Sequence, residues 1–514
     1  MIRAPMTRLA ALLLTLLFAD ASIAAQDPHS YAEPESFLVR HVAIDLSADF
    51  AAHRLEGSAG LTVERIDPAA RELHLDTRDL EIRSVQSFDA SGVPRNLPFR
   101  LDARDAILGS RLTIDLAPQE DVPELLRLLI EYRTSSEASA LQWLEPAQTS
   151  GPRPFMYSQG QSIHTRSWIP IQDTPAVRVT YAARIRTSPD LVAVMSAARI
   201  ENAGATPGEY RFEMKQSVPA YLIALAIGDL RFQSLGARVG VWAEPSRLAA
   251  AAREFADLPR MVDTGESLVG PYRWERYEVL VMPHSFAFGG MENPRLSFIS
   301  PSVVAGDRSL VAVIVHELAH SWSGNLVTNA TWNDFWLNEG FTTYLERRLV
   351  ERLYGERQAR MDDAIAYEHL TQAIADAKDA GRPQDSALQL DLAGRDPGEG
   401  ITDIAYEKGR WFLGYLETRF GRQEFDAFLR EYFDDHAFTS IDTAAFREFL
   451  LARLGRAGAP SIPVAEIDEW LHGIGMPATT PAIPSGVFDA VDRSASEWRA
   501  GRLATDALPV RDWV

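Results

Sequence analysis

Apolar and polar residues alternate over most of the chain from about residue 36 to residue 230. A period of two places the apolar side chains on one face of a β-strand. Turn-forming pairs such as Ser91-Gly92 and Ser188-Pro189 separate the alternating runs. The apolar positions are Val42, Ile44, Leu46, Leu61, Val63, Leu73, Leu75, Leu112, Ile114, Leu116, Val177, Val179 and Tyr181. The pattern predicts an all-β N-terminal domain of packed sheets.

Beyond residue 230 the period of the apolar residues changes toward the value typical of helices. Residues 246–268 are predicted as a helix and residues 277–282 as a strand, and another helix begins near Leu310. The later part is almost entirely helical, with predicted helices at 341–353, 359–377, 408–420, 423–432, 443–454 and 464–472. A small mixed section followed by packed helices predicts a multidomain α+β protein.

The chain has 514 residues, which is too long for a single hydrophobic core. We expect a β-sheet domain at residues 26–229 and a catalytic domain of a small sheet plus helices at 230–475. A Pro-rich linker follows at 476–485. Residues 486–514 are predicted to begin a C-terminal helical domain that is curtailed in this sequence.

The first 25 residues have the layout of an export signal. Arg3 and Arg8 precede an apolar run at 9–18, and small residues follow this run up to Ala25. The run is too short for a permanent membrane anchor, and a hydrophobic N-terminal core helix is the alternative. We expect a signal peptide at 1–25, export to the periplasm or medium of a bacterium, and no stable membrane insertion.

The amino-acid composition limits the kind of protein and the kind of binding partner. Hydrophobic residues make up 46% and charged residues 24%, as in ordinary globular proteins. A formal net charge of −20 argues against binding of nucleic acid through the overall field. Cysteine is absent, so no disulfide contributes to stability.

A candidate metal site stands out in the second half of the chain. His316 and His320 are four residues apart on a predicted helix and therefore project from one face. Two imidazoles so placed can bind one Zn²⁺, while Glu317 between them is offset and can act on a water molecule. A helix carrying two histidines by chance is the alternative. Glu339, at the start of the next predicted helix, supplies a third ligand and predicts a catalytic rather than a structural zinc.

A second motif, residues 288–294, precedes the metal motif. The paired Gly289 and Gly290 permit close approach of a ligand to the backbone, and Glu292 follows them. Alone, the pair is weak evidence, because an ordinary turn explains it equally well. Combined with the metal motif, it resembles the gluzincin aminopeptidases. Residues 159–164, 171–175, 322–329, 335–340 and 406–409 narrow the resemblance to the leukotriene A4 hydrolase and aminopeptidase B-like branch.

The resemblance implies a fold and a set of roles. The fold would be a β-saddle N-terminal domain, a thermolysin-like catalytic domain and a helical C-terminal domain. His316, His320 and Glu339 would bind one Zn²⁺ per chain, and Glu317 would be the general base. Tyr406 would donate a hydrogen bond to the developing oxyanion, although aromatic packing at a helix start is the alternative reading from the residues alone.

The resemblance also implies residues that bind the substrate. Glu292 would bind the free α-ammonium group with help from Gln161, which restricts cleavage to the first peptide bond. Phe288 and Ile401 would make the first side-chain pocket apolar, beside Gly289, Gly290 and Met291. Glu346 lies seven residues after Glu339, on the same helical face, and either orients a ligand histidine or is a solvated helix charge.

These signals predict a monomeric zinc aminopeptidase that acts on short peptides. One alternative is a bifunctional epoxide hydrolase of the leukotriene A4 type. The eukaryotic epoxide-hydrolysing relatives carry an aspartate and a tyrosine where this chain has Gly398 and Ile401, which argues against it. The other alternative is a non-catalytic peptide-binding relative, which the complete set of zinc-site residues disfavours.

Overall fold

The computed structural model describes residues 27–88, 92–116, 123–200, 206–483 and 486–508. The expected signal peptide lies outside these residues and stays a prediction. Within the described ranges, no helix combines the length and the apolar character needed to cross a bilayer.

The N-terminal region is built from strands, because its alternating apolar residues can all be buried on one sheet face. The strands, in chain order, are β1 Phe37–Asp49, β2 Arg54–Arg65, β3 Glu72–Thr77, β4 Glu81–Phe88, β5 Pro94–Asn96, β6 Phe99–Leu101, β7 Ser110–Asp115, β8 Leu125–Arg133, β9 Leu141–Leu144, β10 Phe155–Ser158, β11 Arg178–Arg186, β12 Val192–Met195, β13 Ala198–Arg199, β14 Glu209–Pro219 and β15 Leu225–Gly228. Their order is β13-β14-β11-β1-β2-β8-β4-β5 in the largest sheet, β12-β15-β10-β9 in the second and β3-β7-β6 in the third.

The alternating positions are the buried ones. Val42, Ile44 and Leu46 of β1 are at most 2% exposed. β1 is antiparallel to β2 but parallel to β11, with Val42 opposite Tyr181. A parallel pairing needs a long crossover connection, so periodicity alone does not reveal it.

The catalytic region begins with a five-stranded sheet in the order β16-β17-β18-β20-β19. Its strands are β16 Arg231–Ser234, β17 Val239–Ala243, β18 Tyr277–Val281, β19 Gly290–Met291 and β20 Leu296–Ile299, and a separate pair is β21 Val327–Asn329 with β22 Thr439–Ile441. The helices are α1 Pro245–Glu254, α2 Leu258–Val269, α3 Ala312–Ala319, α4 Trp336–Tyr354, α5 Glu356–Asp379, α6 Gly409–Phe420, α7 Arg422–Asp435, α8 Thr443–Leu454, α9 Val464–His472 and α10 Asp489–Arg499. This arrangement confirms the predicted α+β fold with its all-β N-terminal domain.

Two element boundaries differ from the expectation. The single helix predicted at 246–268 is two helices, since α1 ends at Glu254 and Pro259 lies in the first turn of α2. Proline lacks the amide hydrogen of a helix interior and is tolerated only in a first turn. Helix α4 begins at Trp336 instead of residue 341, so Glu339 lies within its first turn.

Helices α4 and α6 approach closely enough to bring their backbones into contact. A Cβ on Gly340 would lie 2.7 Å from Gly409 Cα, so only glycine fits there. A π-helical turn, Ile404–Lys408, leads directly into α6. The close crossing therefore brings Tyr406 in this turn toward the first turn of α4, where Glu339 lies.

Candidate active site

Three side chains from α3 and α4 meet at one point. His316 lies in the last turn of α3, His320 follows its end, and Glu339 lies in the first turn of α4. Glu339 Oε2 is 3.3 Å from His316 Nε2 and 3.3 Å from His320 Nε2. The ligand atoms of the three residues all lie within 4.8 Å of one another, so a single metal ion can contact all three.

The surroundings of these residues fit Zn²⁺. His316 Nδ1 is 3.0 Å from Glu346 Oε2, and His320 Nδ1 is 3.0 Å from the Ser323 carbonyl oxygen. Both imidazoles can therefore donate from Nδ1 and keep the Nε2 lone pair for a metal. Glu339 Oε2 is buried and accepts no hydrogen bond from any described residue, so a bound cation would compensate this oxygen. Two imidazole nitrogens and one carboxylate oxygen form the three-ligand set of catalytic zinc sites.

The electrostatics of the site also favour a cation. Burial disfavours charge on both imidazoles, yet the surrounding carboxylates outweigh it and raise the pKa of His316 and of His320. Burial raises the pKa of Glu292, and it raises the pKa of Glu317 to about 7. Burial acts in the same direction on Glu339, but His320 and His316 outweigh it and lower its pKa to about 2. Buried carboxylates with too few cations attract protons, and a divalent ion supplies the missing positive charge.

Gly290 makes room for the Glu317 carboxylate. A Cβ at position 290 would lie 2.1 Å from Glu317 Oε1 and 2.4 Å from its carboxylate carbon. At position 289, by contrast, the nearest atom to a Cβ would be Val313 Cγ1 at 3.7 Å. The second glycine of the pair is thus required by the packing of β19 against α3.

Tyr406 lies across the face of His316. The two rings are 6.0 Å apart at an interplanar angle of 21°. Burial and the carboxylates of Glu339, Glu292 and Glu317 raise the pKa of Tyr406 well above its ordinary value. The phenol therefore keeps its proton at neutral pH and can donate it in a hydrogen bond.

Glu292 places a second buried carboxylate beside the metal ligands. Its side chain, with those of Glu317 and His320, offers oxygen and nitrogen atoms that lie within 4.8 Å of one another. The residue is 4% exposed, and Glu292 Oε1 has no hydrogen-bond partner in the part of the chain that the structure describes. A buried carboxylate oxygen without a donor is costly, so the site is suited to an ammonium group.

Two family models match the two regions described above. The Peptidase M1 N-terminal domain matches residues 28–222, and the Peptidase family M1 domain matches residues 258–470. The leukotriene A-4 hydrolase of Xenopus laevis is 37% identical over 478 residues, which are 92% of this chain and 77% of that protein. The chain belongs to peptidase family M1.

Other similar proteins agree with this assignment. Aminopeptidase B of Rattus norvegicus is 38% identical over an alignment of 517 positions that covers 96% of this M1 peptidase and 79% of the rat protein. The structure of yeast LTA4 hydrolase in complex with bestatin superposes with a TM-score of 0.86 at 36% identity, over 96% of this chain and 76% of that one. The predictions of a gluzincin and of a zinc metallo-aminopeptidase are confirmed. Bacterial origin and export stay predictions.

The M1 peptidase has a cavity that reaches its candidate oxyanion donor. The cavity has a volume of about 610 Å³, and both Tyr406 and Ile401 line it. Its charged lining residues are Asp376, Arg382, Asp385, Glu399 and Asp403. Ile401 therefore lies among carboxylates, and Phe288 is not part of this lining. The expectation that Phe288 and Ile401 share one apolar pocket does not describe this cavity.

The remaining predicted substrate-binding residues differ in their exposure and contacts. Met291 is buried in β19, and its sulfur accepts a hydrogen bond of 3.0 Å from Gln159. Phe288 is half exposed and packs against Phe286. Gln161 makes no hydrogen bond to any residue that the structure describes, so its amide is free to bind a ligand.

Two supporting residues of the M1 peptidase were missed by the sequence analysis. Thr342 Oγ1 lies 3.1 Å from His320 Nδ1, and Tyr221 from the N-terminal domain accepts a 3.1 Å hydrogen bond from Asn338. Thr342 follows Glu339 by three residues and so shares its helical face, which was a usable signal. No local pattern indicates Tyr221, because its partner is 117 residues away along the chain.

Proposed function

We propose that this M1 zinc aminopeptidase removes single residues from the N-termini of short peptides. The observation that carries the proposal is the buried carboxylate of Glu292 beside the zinc ligand His320, because Glu292 Oε1 has no hydrogen-bond partner among the described residues. A charged α-amine bound there would leave the first peptide bond at the metal and exclude internal bonds. The family resemblance implies that Gln161 would help to bind the same amine.

The roles of the residues follow from their positions. Zinc held by His316, His320 and Glu339 would supply Lewis-acid polarisation of the scissile carbonyl. Glu317 takes a proton from the attacking water as the new C–O bond forms. It passes this proton to the amine nitrogen as the C–N bond breaks.

Tyr406 completes the proposed mechanism. The protonated phenol of Tyr406 donates a hydrogen bond to the carbonyl oxygen as negative charge develops on it. Such a donor typically contributes about 2.7–4 kcal/mol to lowering the barrier. Its effect is confined to the transition state, so it acts on kcat more than on KM.

The first prediction tests Glu317 with a neutral isostere. Glu317→Gln is expected to abolish hydrolysis of an aminoacyl anilide, because the amide cannot accept the proton of water. The variant should bind one zinc per chain, measured by metal analysis, since Glu317 is not a ligand. The wild-type enzyme should lose activity with a chelator, regain it with Zn²⁺, and leave an N-acetylated anilide intact. Near-normal turnover by Glu317→Gln would refute the mechanism.

A second candidate activity, epoxide hydrolysis, is favoured by the similarity to leukotriene A4 hydrolases. This chain has Gly398 and Ile401 where its epoxide-hydrolysing relatives carry a carboxylate and a phenol. Peptide hydrolysis needs neither group and is therefore the better supported function. Incubation with leukotriene A4 distinguishes the two activities, since only epoxide hydrolysis yields a diol.

A further inference from the structure

A set of buried charges lies behind the zinc ligands and has no part in the proposed mechanism. Its centre is Arg347 of α4, whose side chain is 13% exposed. The guanidinium contacts Glu346, Glu407 and Asp363. We call Glu346, Arg347 and Glu407 the guanidinium bridge.

One arm of the bridge leads to a zinc ligand. Arg347 Nη1 donates a hydrogen bond to Glu346 Oε1. The other oxygen of this carboxylate, Oε2, lies 3.0 Å from His316 Nδ1. Both carboxylate oxygens of Glu346 are therefore in contact, one with Arg347 and one with His316. The orientation of the His316 ring thus depends on the position of Arg347.

The second arm leads to the candidate oxyanion donor. Arg347 Nη2 lies 3.6 Å from Glu407 Oε1, an ion-pair distance that is longer than a hydrogen bond. Glu407 directly follows Tyr406 in the π-helical turn Ile404–Lys408. Single π-helical turns inside helices are frequent at functional sites. Anchoring Glu407 fixes this turn and with it the backbone that carries Tyr406.

Two other helices hold the bridge in place. Arg347 Nε lies 3.4 Å from Asp363 Oδ1 on α5, and Arg410 of α6 donates to the other oxygen of Asp363. The Arg410 guanidinium in turn stacks 4.1 Å from the ring centre of Trp411. A buried ion pair contributes little net stability compared with apolar residues of the same shape, so stability alone does not account for this network.

We propose that Arg347 is a positioning residue that fixes the Tyr406 hydroxyl relative to the zinc ligand His316. The Arg347 guanidinium contacts both the Glu346 carboxylate behind His316 and the Glu407 carboxylate next to Tyr406. It thereby sets the distance between His316 and Tyr406. The inference rests on the proposed function of Tyr406. Because Tyr406 acts in the transition state, Arg347 affects kcat and leaves KM almost unchanged.

The first measurement compares Arg347→Met with a neighbouring control at saturating zinc. Arg347→Met is expected to lower kcat about tenfold or more and to change KM for an aminoacyl anilide less than about twofold, since a small displacement of a catalytic donor is costly. Arg347→Lys keeps the positive charge but loses the planar guanidinium that can contact two carboxylates. Its kcat should lie between those of the wild type and Arg347→Met.

The control is Arg348→Met. Arg348 is more deeply buried in α4 than Arg347, but it pairs with Asp426 and donates to Tyr344, away from the bridge. Its replacement should lower the unfolding temperature and leave kcat near that of the wild type. An equal fall in kcat for both variants would show a general effect of lost helix packing and would overturn the proposal.

A double-mutant cycle tests the route through Tyr406. In a Tyr406→Phe background, Arg347→Met should lower kcat less than about twofold further, because the group that it positions is already gone. The same fold loss in both backgrounds would overturn the proposal. Glu407→Gln breaks only the second arm and provides the same cycle should Arg347→Met fail to fold.

Zinc affinity gives a readout that does not depend on turnover. Competition with a chelator should show weaker zinc binding for Arg347→Met by up to about tenfold, as expected for loss of support behind a ligand histidine. Unchanged zinc affinity would show that Arg347 does not support His316, which would overturn the proposal and leave the proposed function intact. A wild-type protein that hydrolyses no aminoacyl anilide would instead refute the proposed function.

Discussion

At the scale of single residues, the site depends on atoms that are buried without partners. Glu339 Oε2 and Glu292 Oε1 are both buried without a hydrogen bond to any described residue, and the two side chains belong to neighbouring groups of possible metal ligands that share His320. An unpaired buried carboxylate oxygen costs on the order of 1–3 kcal/mol or more. The two oxygens therefore mark where the protein meets its ligands, a metal ion at Glu339 and, in our proposal, an amine at Glu292.

The residue-scale prediction concerns Gly290. Gly290→Ala places a Cβ in the space of the Glu317 carboxylate, and this flexible side chain must move away. A displacement of about 1 Å is expected to lower kcat about 100-fold, while zinc content and unfolding temperature change little. Gly289→Ala serves as the comparison and should have a much smaller effect, because its Cβ would meet only Val313 at 3.7 Å. Equal losses for the two variants would contradict this explanation.

At the scale of elements, the site is the junction of three segments. The end of α3 supplies His316 and, directly after it, His320; α4 supplies Glu339 and the residues behind it, and the π-helical turn before α6 supplies Tyr406. On α4 the residues Glu339, Thr342 and Glu346 lie on one face, at spacings of three and four. One helix therefore holds both a ligand and the groups that orient the other two ligands.

The element-scale prediction concerns the crossing of α4 and α6. Gly340→Ala should destabilise the protein by about 1–3 kcal/mol, because its Cβ would meet the backbone of Gly409. The helices must separate, so kcat should fall as Tyr406 moves from the metal ligands. Gly414→Ala on α6 is the matched control, since its Cβ meets only Arg410 at 3.6 Å. That change should be neutral or stabilising by up to about 1 kcal/mol in denaturant unfolding, as is usual for helical glycines.

At the scale of the whole molecule, the N-terminal domain helps to build the active site. Arg178 of β11 is partly buried, and its Nη2 donates to the carbonyl oxygen of Asn325 at 2.7 Å. The Asn325 amide in turn donates to the carbonyl oxygen of Glu292 at 2.8 Å. The position of Glu292 thus depends on a strand of the other domain, and the β-sheet domain contributes more than a scaffold.

The molecule-scale prediction concerns acid stability. Burial, reinforced by Arg78, lowers the pKa of His164 to about 4, and its Nδ1 accepts a 2.9 Å hydrogen bond from Arg78. The unfolded chain therefore binds more protons than the folded protein between about pH 4 and 6.5. Stability should fall as the pH decreases through this window, with a contribution from His164 of about 2–3 kcal/mol.

The matched variant for this prediction is His164→Gln, which keeps a polar side chain and removes the titration. Urea unfolding at pH 7 and pH 4.5 should show a smaller acid loss for the variant than for the wild type. Identical losses in the two proteins would show that His164 does not contribute to acid lability.

The sequence predicted those features that depend on neighbours along the chain. Strand β1 was indicated by Val42, Ile44 and Leu46, and α8 and α9 were predicted with the bounds that the structure shows. The zinc ligands were also predicted, because helical spacing alone places His316 and His320 on one face. The break between α1 and α2 was missed, since the apolar period continues across it and only Pro259 marks the second start.

Other features depend on contacts between residues that are distant along the chain. Nothing near Tyr221 in the sequence indicates its hydrogen bond to Asn338, and nothing near Arg347 indicates its approach to Glu407. Likewise, the alternation of apolar and polar residues does not indicate the parallel pairing of β1 with β11.

The sequence by itself thus determined the metal, the order of its ligands, the family and the type of each main element. The tertiary structure decided why Gly290 must be a glycine, which charges support His316, and how the N-terminal domain positions Glu292. The physical reason is that periodicity and ligand chemistry are properties of short segments. The fit of a carboxylate against a particular backbone, or of a guanidinium between two acids, exists only after distant segments have packed together.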